Sequence, residues 1–228
     1  MKKSSSLSVI LSFIVLAAIS LGYASQATPK GQSEQALQRK VTLPELVNLP
    51  TTSIIVRGLS TAGVPGGIVK VPACEERPRA VFTPQGATLR NVLDSAVSTD
   101  PEYLWDVEEG VVNLLPRGGE PSFLKLRVRR FKAEDVGTLN EALDQLLATP
   151  EVRSGVQSLA LGPQVFRGGL GYYGPDENGG RKFSVSVENA TVREALNAIV
   201  RAQGKAVWAY TQQQCNGTKS FSIDFLVR

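Results

Sequence analysis

Paired carboxylates such as Glu108–Glu109 and Asp176–Glu177, and two cysteines, Cys74 and Cys215, are the first side chains to test for chemistry. Paired carboxylates divide general-acid and general-base work when their surroundings push their pKa values apart. Both pairs lie in turn-like sequence, "EEGVV" and "PDENGG", where solvated charges are the simpler expectation. The chain has no histidine, so the commonest general base and the commonest zinc ligand are missing. Ser-His-Asp and Cys-His arrangements are therefore excluded within the chain, and no Ser-Lys motif is present. Two isolated cysteines without histidine do not make an ordinary zinc shell. The expectation is a protein that is not an enzyme, with no catalytic residue, cofactor or metal. In an exported protein Cys74 and Cys215 form a disulfide or stay two thiols; their spacing leaves both open.

Three features could bind rather than react. Lys125, Arg127 and Arg129 fall on one face of an alternating strand, "LKLRVRRF" (124–131), with Arg130 and Lys132 beside them. That stripe suits an anionic partner or wall polymer, or is the charged solvent face that protects a sheet edge. The segment "RGGLGYYGPDENGGR" (167–181) is Gly-rich and carries Tyr172 and Tyr173. Paired aromatics on a long loop suit contact with a peptide or sugar, and a plain insertion is the alternative. It lacks the Gly-Lys-Ser/Thr end of a phosphate loop. Trp105 and Trp208 are read as packing residues first.

The elements that would position these residues begin after a leader. Lys2 and Lys3 precede an apolar run from Leu7 to Leu21 and small residues at Ala24 and Ala27. This is the pattern of a secretory signal peptide, residues 1–24, cleaved after 24 or 27. No membrane span is expected after its removal, and the location is periplasmic or secreted. Without Lys2 and Lys3 there remain 23 basic against 21 acidic side chains, too little excess charge for a nucleic-acid partner. A flexible segment (25–39) would lead into one unit at 40–117, a linker at 118–121 within "PRGGEP", and a second unit at 122–228 carrying the 167–181 insertion.

A repeat defines the units. "ATLRNVLDSAVSTDPEYLW" (87–105) and "ATVREALNAIVRAQGKAVW" (190–208) align at a constant offset of 103, matching Ala87, Thr88, Arg90, Leu93, Val97 and Trp105 with Ala190, Thr191, Arg193, Leu196, Val200 and Trp208. "GTLNEALDQLL" (137–147) is a third copy of the helical part. All three place apolar residues at i, i+3, i+4, i+7 and i+8, one stripe down a helix. Thr138-x-x-Glu141 and Thr191-x-x-Glu194 predict capping boxes; Thr88 predicts a cap with Asn91 in the Glu position. "YLWDVEEGVVNLLP" predicts a hairpin turning at Glu108-Glu109-Gly110, and "AVWAYTQQQCNGTKSFSIDFLV" a longer one at Asn216-Gly217. Thr51, Thr52 or Ser53 would cap a helix with Ile55, Leu59 and Ala62 inward, followed by a strand at Gly67–Val71. The fold class expected is α+β: two tandem β-α-β-β-α-β-β units, helices packed on short mixed sheets.

"GVPGGIVKV", "GATLRNVLDSAV" and "YLWDVEEGVVNLLP" together resemble the short N-terminal domain of secretins and TonB-dependent receptors. "VSVENATVREALNAIV" followed by "AVWAY" is similar to that domain's second half and to the ring-building domains of secretins. The resemblance covers roughly half of the chain after the leader. It implies a non-enzymatic interaction or scaffolding module of the bacterial envelope, without the pore or barrel of those proteins. The implied partner is a secretin, receptor or sensor-like envelope protein, and self-association into an oligomer is compatible with such a module. The alternative is a periplasmic or secreted binding protein for a glycan, peptidoglycan or peptide, using Tyr172, Tyr173 and the basic strand.

Overall fold

A computed structural model describes residues 34–42, 46–70, 80–82, 87–162, 181–215 and 218–226. The leader, Cys74, Tyr172, Tyr173, Asp176, Glu177 and the Asn216–Gly217 turn lie outside the described residues. The chain is α+β. Its element order is β1 (Leu46–Leu49), α1 (Thr51–Ala62), β2 (Gly66–Lys70), β3 (Ala80–Phe82), α2 (Leu89–Thr99), β4 (Tyr103–Glu108), β5 (Val111–Pro116), β6 (Arg127–Val136), α3 (Leu139–Leu147), α4 (Pro150–Ser158), β7 (Phe183–Thr191), α5 (Val192–Gln203), β8 (Val207–Cys215) and β9 (Thr218–Leu226).

A mixed five-stranded sheet, ordered β4-β5-β2-β8-β9, forms the centre. β2 runs parallel to both of its neighbours, β5 and β8, and each outer pair is an antiparallel hairpin. Successive side chains of a strand point to opposite faces, and here each face carries its own core. Ile68, Val112, Leu114 and Val207 pack against Ile54, Ile55 and Leu59 of α1 and Leu89, Val92 and Leu93 of α2. Their neighbours Val69, Val111, Trp208 and Tyr210 pack against α3 and α5 and the antiparallel β6–β7 pair. α5 is buried continuously from Ala195 to Val200, as expected of a helix enclosed on more than one side.

The helix starts follow their cap chemistry. Thr88, Thr138 and Thr191 each accept a hydrogen bond from the backbone N–H three residues on. At Thr191 the box closes, because Glu194 accepts from the Thr191 N–H at 2.6 Å. At Thr138 it is displaced by one residue: Glu141 accepts from Gly137 N–H instead, at 3.0 Å. α1 forms where expected, but Pro50 stands at its cap and no side chain takes part. The N–H groups of Ser53 and Ile54 both go to the Pro50 carbonyl.

Two features differ from the expected pair of like units. Where the second half was expected to repeat a strand, it has α4, begun by Pro150 at the first helical position, a place proline's fixed φ suits. The strand that β8 would otherwise lack comes from the first half: β2 pairs with β5 along one edge and β8 along the other. Both halves thus meet in one sheet. Among the described residues no helix is long and apolar enough to cross a membrane.

Candidate functional site

The basic stripe is only partly on a strand. β6 begins at Arg127, and Lys125 lies in the turn before it. All three side chains are exposed, but two are engaged: Arg127 donates to the Asn189 carbonyl at 2.8 Å, and Arg129 to the Glu151 carboxylate at 2.8 Å. Lys125 lies close enough to Glu120 to act on its charge. Cys215 closes β8 opposite Thr218; Cys74, like the tyrosine pair, is outside the described residues.

The two tryptophans occupy corresponding settings of different depth. Trp105 Nε1 donates to Asp94 at 3.0 Å and Trp208 Nε1 to Asn197 at 2.8 Å, each acceptor eleven residues earlier on the preceding helix. Trp105 is half-buried, with the Arg90 guanidinium 5.5 Å from its ring centroid. Trp208 is fully buried.

From Trp208 a polar chain leads to the surface. Asn197, 3% exposed, turns its amide nitrogen to Glu108 Oε2 at 3.2 Å. Arg193 donates to the same oxygen at 2.9 Å, and its Nε stands 2.8 Å from Glu120 Oε1. These contacts tie the β4–β5 turn and Glu120, in the segment after β5, to α5. Burial pushes the Glu120 carboxyl above its ordinary range, while Arg193 and then Lys125 pull it back. The turn itself places Glu109 at φ 48° and Gly110 at φ 87°, the paired left-handed residues of a two-residue hairpin loop. Glu109 is an unusual occupant of that region, and Arg201 binds its carboxylate.

Beside this junction lies a cleft of about 380 Å³, walled by Glu108 and Glu109 of the turn, by Glu194, Asn197 and Arg201 along one side of α5, and by Val187–Ala190 of β7. The β7 wall is a strand edge. Among the described residues β7 pairs only with β6, and the Val192 N–H bonds to the Leu126 carbonyl just beyond the ladder. Antiparallel strands alternate bonded and outward-facing residues. The even-numbered residues of β7 therefore bond to β6, and the backbone groups of Val185 and Val187 face away from it. Neither has another partner among the described residues. Thr191 also faces outward, and its N–H is already taken by Glu194.

Glu108 and Glu109, read as solvated turn charges, are thus held by α5 side chains that arrive 85 to 92 residues later. Asn197, Arg201 and the β7 edge were not anticipated. One signal was available for Asn197: the 103-residue offset sets it against Asp94, a polar side chain in both copies just off the apolar stripe. Chemically the cleft offers backbone pairing and carboxylates, with no nucleophile beside a base. Among the described residues no group of three or more His, Cys, Asp or Glu is placed to hold a metal ion. Neither a protein-family model, nor a curated protein, nor a solved structure matches the chain.

Proposed function

We propose that this chain is a non-enzymatic protein–protein interaction module of the bacterial envelope, docking an extended segment of its partner along the β7 edge of the cleft. The observation that carries the reading is Val187, whose N–H and C=O face away from β6 at the wall of a cleft. An unpaired strand edge is a template for another strand, with backbone hydrogen bonds supplying affinity and neighbouring side chains supplying choice. The export pattern of the leader and the resemblance of the repeat to secretin and receptor N-terminal domains support the envelope setting.

The test uses the full chain as bait in an envelope fraction, beside Val187→Pro. Proline at this position removes an outward N–H without breaking a bond to β6, and thermal unfolding checks that the variant folds. Recovery of a secretin, receptor or sensor subunit by the wild type and its loss with Val187→Pro is the expected result. Equal retention of both chains on purified cell wall, with no protein recovered, would overturn the reading in favour of a glycan binder.

A further inference from the structure

We infer that the segment received by the β7 edge is basic as well as extended. The inference rests on the interaction-module reading and adds the chemistry of the partner. The outward edge of β7, unpaired among the described residues, carries the docking; the carboxylates around it select the charge.

A strand laid along β7 would set successive side chains alternately to either side of its backbone, one side toward the cleft wall made by α5 and the β4–β5 turn. That wall carries Glu108, Glu109 and Glu194, and Glu188 projects from β7 itself. The cation among the lining residues is Arg201, with Arg193 behind it on Glu108 and Arg130 opposite Glu188 in the ladder, which leaves the carboxylates in excess at the cleft. Arg201 is already engaged with Glu109. The hydrogen bonds to Glu108 converge on Oε2, and the Thr191 backbone uses only Oε2 of Glu194. Each carboxylate keeps a second oxygen as acceptor. Glu188 is exposed and has no ion-pair or hydrogen-bond partner among the described residues. A lysine or arginine at alternate positions of an incoming strand would meet acceptors at several points of the wall. An acidic strand would meet repulsion there, which is how charge complementarity rejects a wrong partner.

The experiment titrates three acetylated, amidated peptides into the full chain: alternating Lys-Val, alternating Glu-Val, and Lys-Val with alternate amides N-methylated so that it cannot pair. The readouts are affinity and the amide NMR shift of Val187. The Lys-Val peptide is expected to shift Val187 and to bind about tenfold or more tighter than Glu-Val, a preference that shrinks as salt rises and in Glu188→Gln. The N-methylated peptide is expected not to bind. If Glu-Val binds as tightly and shifts Val187 equally, the basic partner is overturned while edge docking stands. If Lys-Val binds without moving Val187, or the N-methylated peptide binds as well, attraction is not through the edge and the docking itself is overturned.

Discussion

The indole of Trp208 lies against the backbone of Gly67, its register partner across the parallel β2–β8 pair. A Cβ built on Gly67 would stand 2.2 Å from the indole Cζ2, inside the ring's own van der Waals envelope. This contact joins the strand shared by the two halves to the largest buried side chain of the second core. The absence of a side chain at Gly67 is therefore a packing requirement, met where the two halves meet in one sheet.

Gly67→Ala should destabilise the fold by about 2–3 kcal/mol, since a fully buried indole has nowhere to move. Gly118→Ala, where an added Cβ meets nothing within 4 Å, is the control and should change little. Denaturant unfolding followed by tryptophan fluorescence compares the two. A neutral Gly67→Ala would show that Trp208 does not pack across β2.

The matched Trp–Asx hydrogen bonds provide an internal comparison. Asn197→Ala strands a buried indole N–H and takes a donor from Glu108, so a loss of about 2–3 kcal/mol is expected. Asp94→Ala removes the same bond from half-buried Trp105, with an exposed acceptor, and should cost less than about 1 kcal/mol. Equal losses in chemical denaturation would show that depth of burial does not separate the two copies.

What the sequence reveals of this fold is what its local patterns encode. Stripes, caps and turn pairs depend on residues a few positions apart: α1, α2, α3 and α5 form where the stripes place them, the β4–β5 hairpin turns at Glu109-Gly110, and β8 pairs with β9. The sharing of β2 depends on long-range register, Gly67 against Asn113 on one side and Trp208 on the other, which no local pattern specifies. α4 carries a local signal, Thr149-Pro150-Glu151 with Val152 and Gly155 inward, that the repeat pattern does not contain. The cleft was illegible for the same reason as the sheet. Glu108 reads as a turn charge until Arg193 and Asn197 of α5 reach it, Glu109 stays exposed, and an outward-facing strand edge has no residue signature of its own.

The closed capping box at Thr191 gives a smaller, sharper expectation. Thr191→Ala frees the Glu194 N–H and should cost about 1 kcal/mol. Thr88→Ala, where no glutamate returns the bond and the cap contact to Asn91 N–H is 3.3 Å, should cost less. Urea midpoints at unchanged slope measure both. A larger effect at Thr88 would mean that the reciprocal bond adds nothing.

Glu120 makes stability depend on pH in a stated direction. Its carboxyl is raised above its ordinary value of 4.5, first by burial, against the pull of Arg193. The folded chain therefore holds this proton more tightly than the unfolded chain. The stabilisation from the protonated form is complete below the unfolded pKa and is lost as pH rises through the higher folded value. Glu120→Gln cannot titrate, so the unfolding free energy of the wild type, relative to that of the variant, should fall as pH is raised from about 4 to neutrality. Urea unfolding of both proteins across that range measures the difference. A difference that rises with pH would show that the attraction of Arg193 outweighs the cost of burying the charge, and that Glu120 joins the segment after β5 to α5 as a net stabilising ion pair.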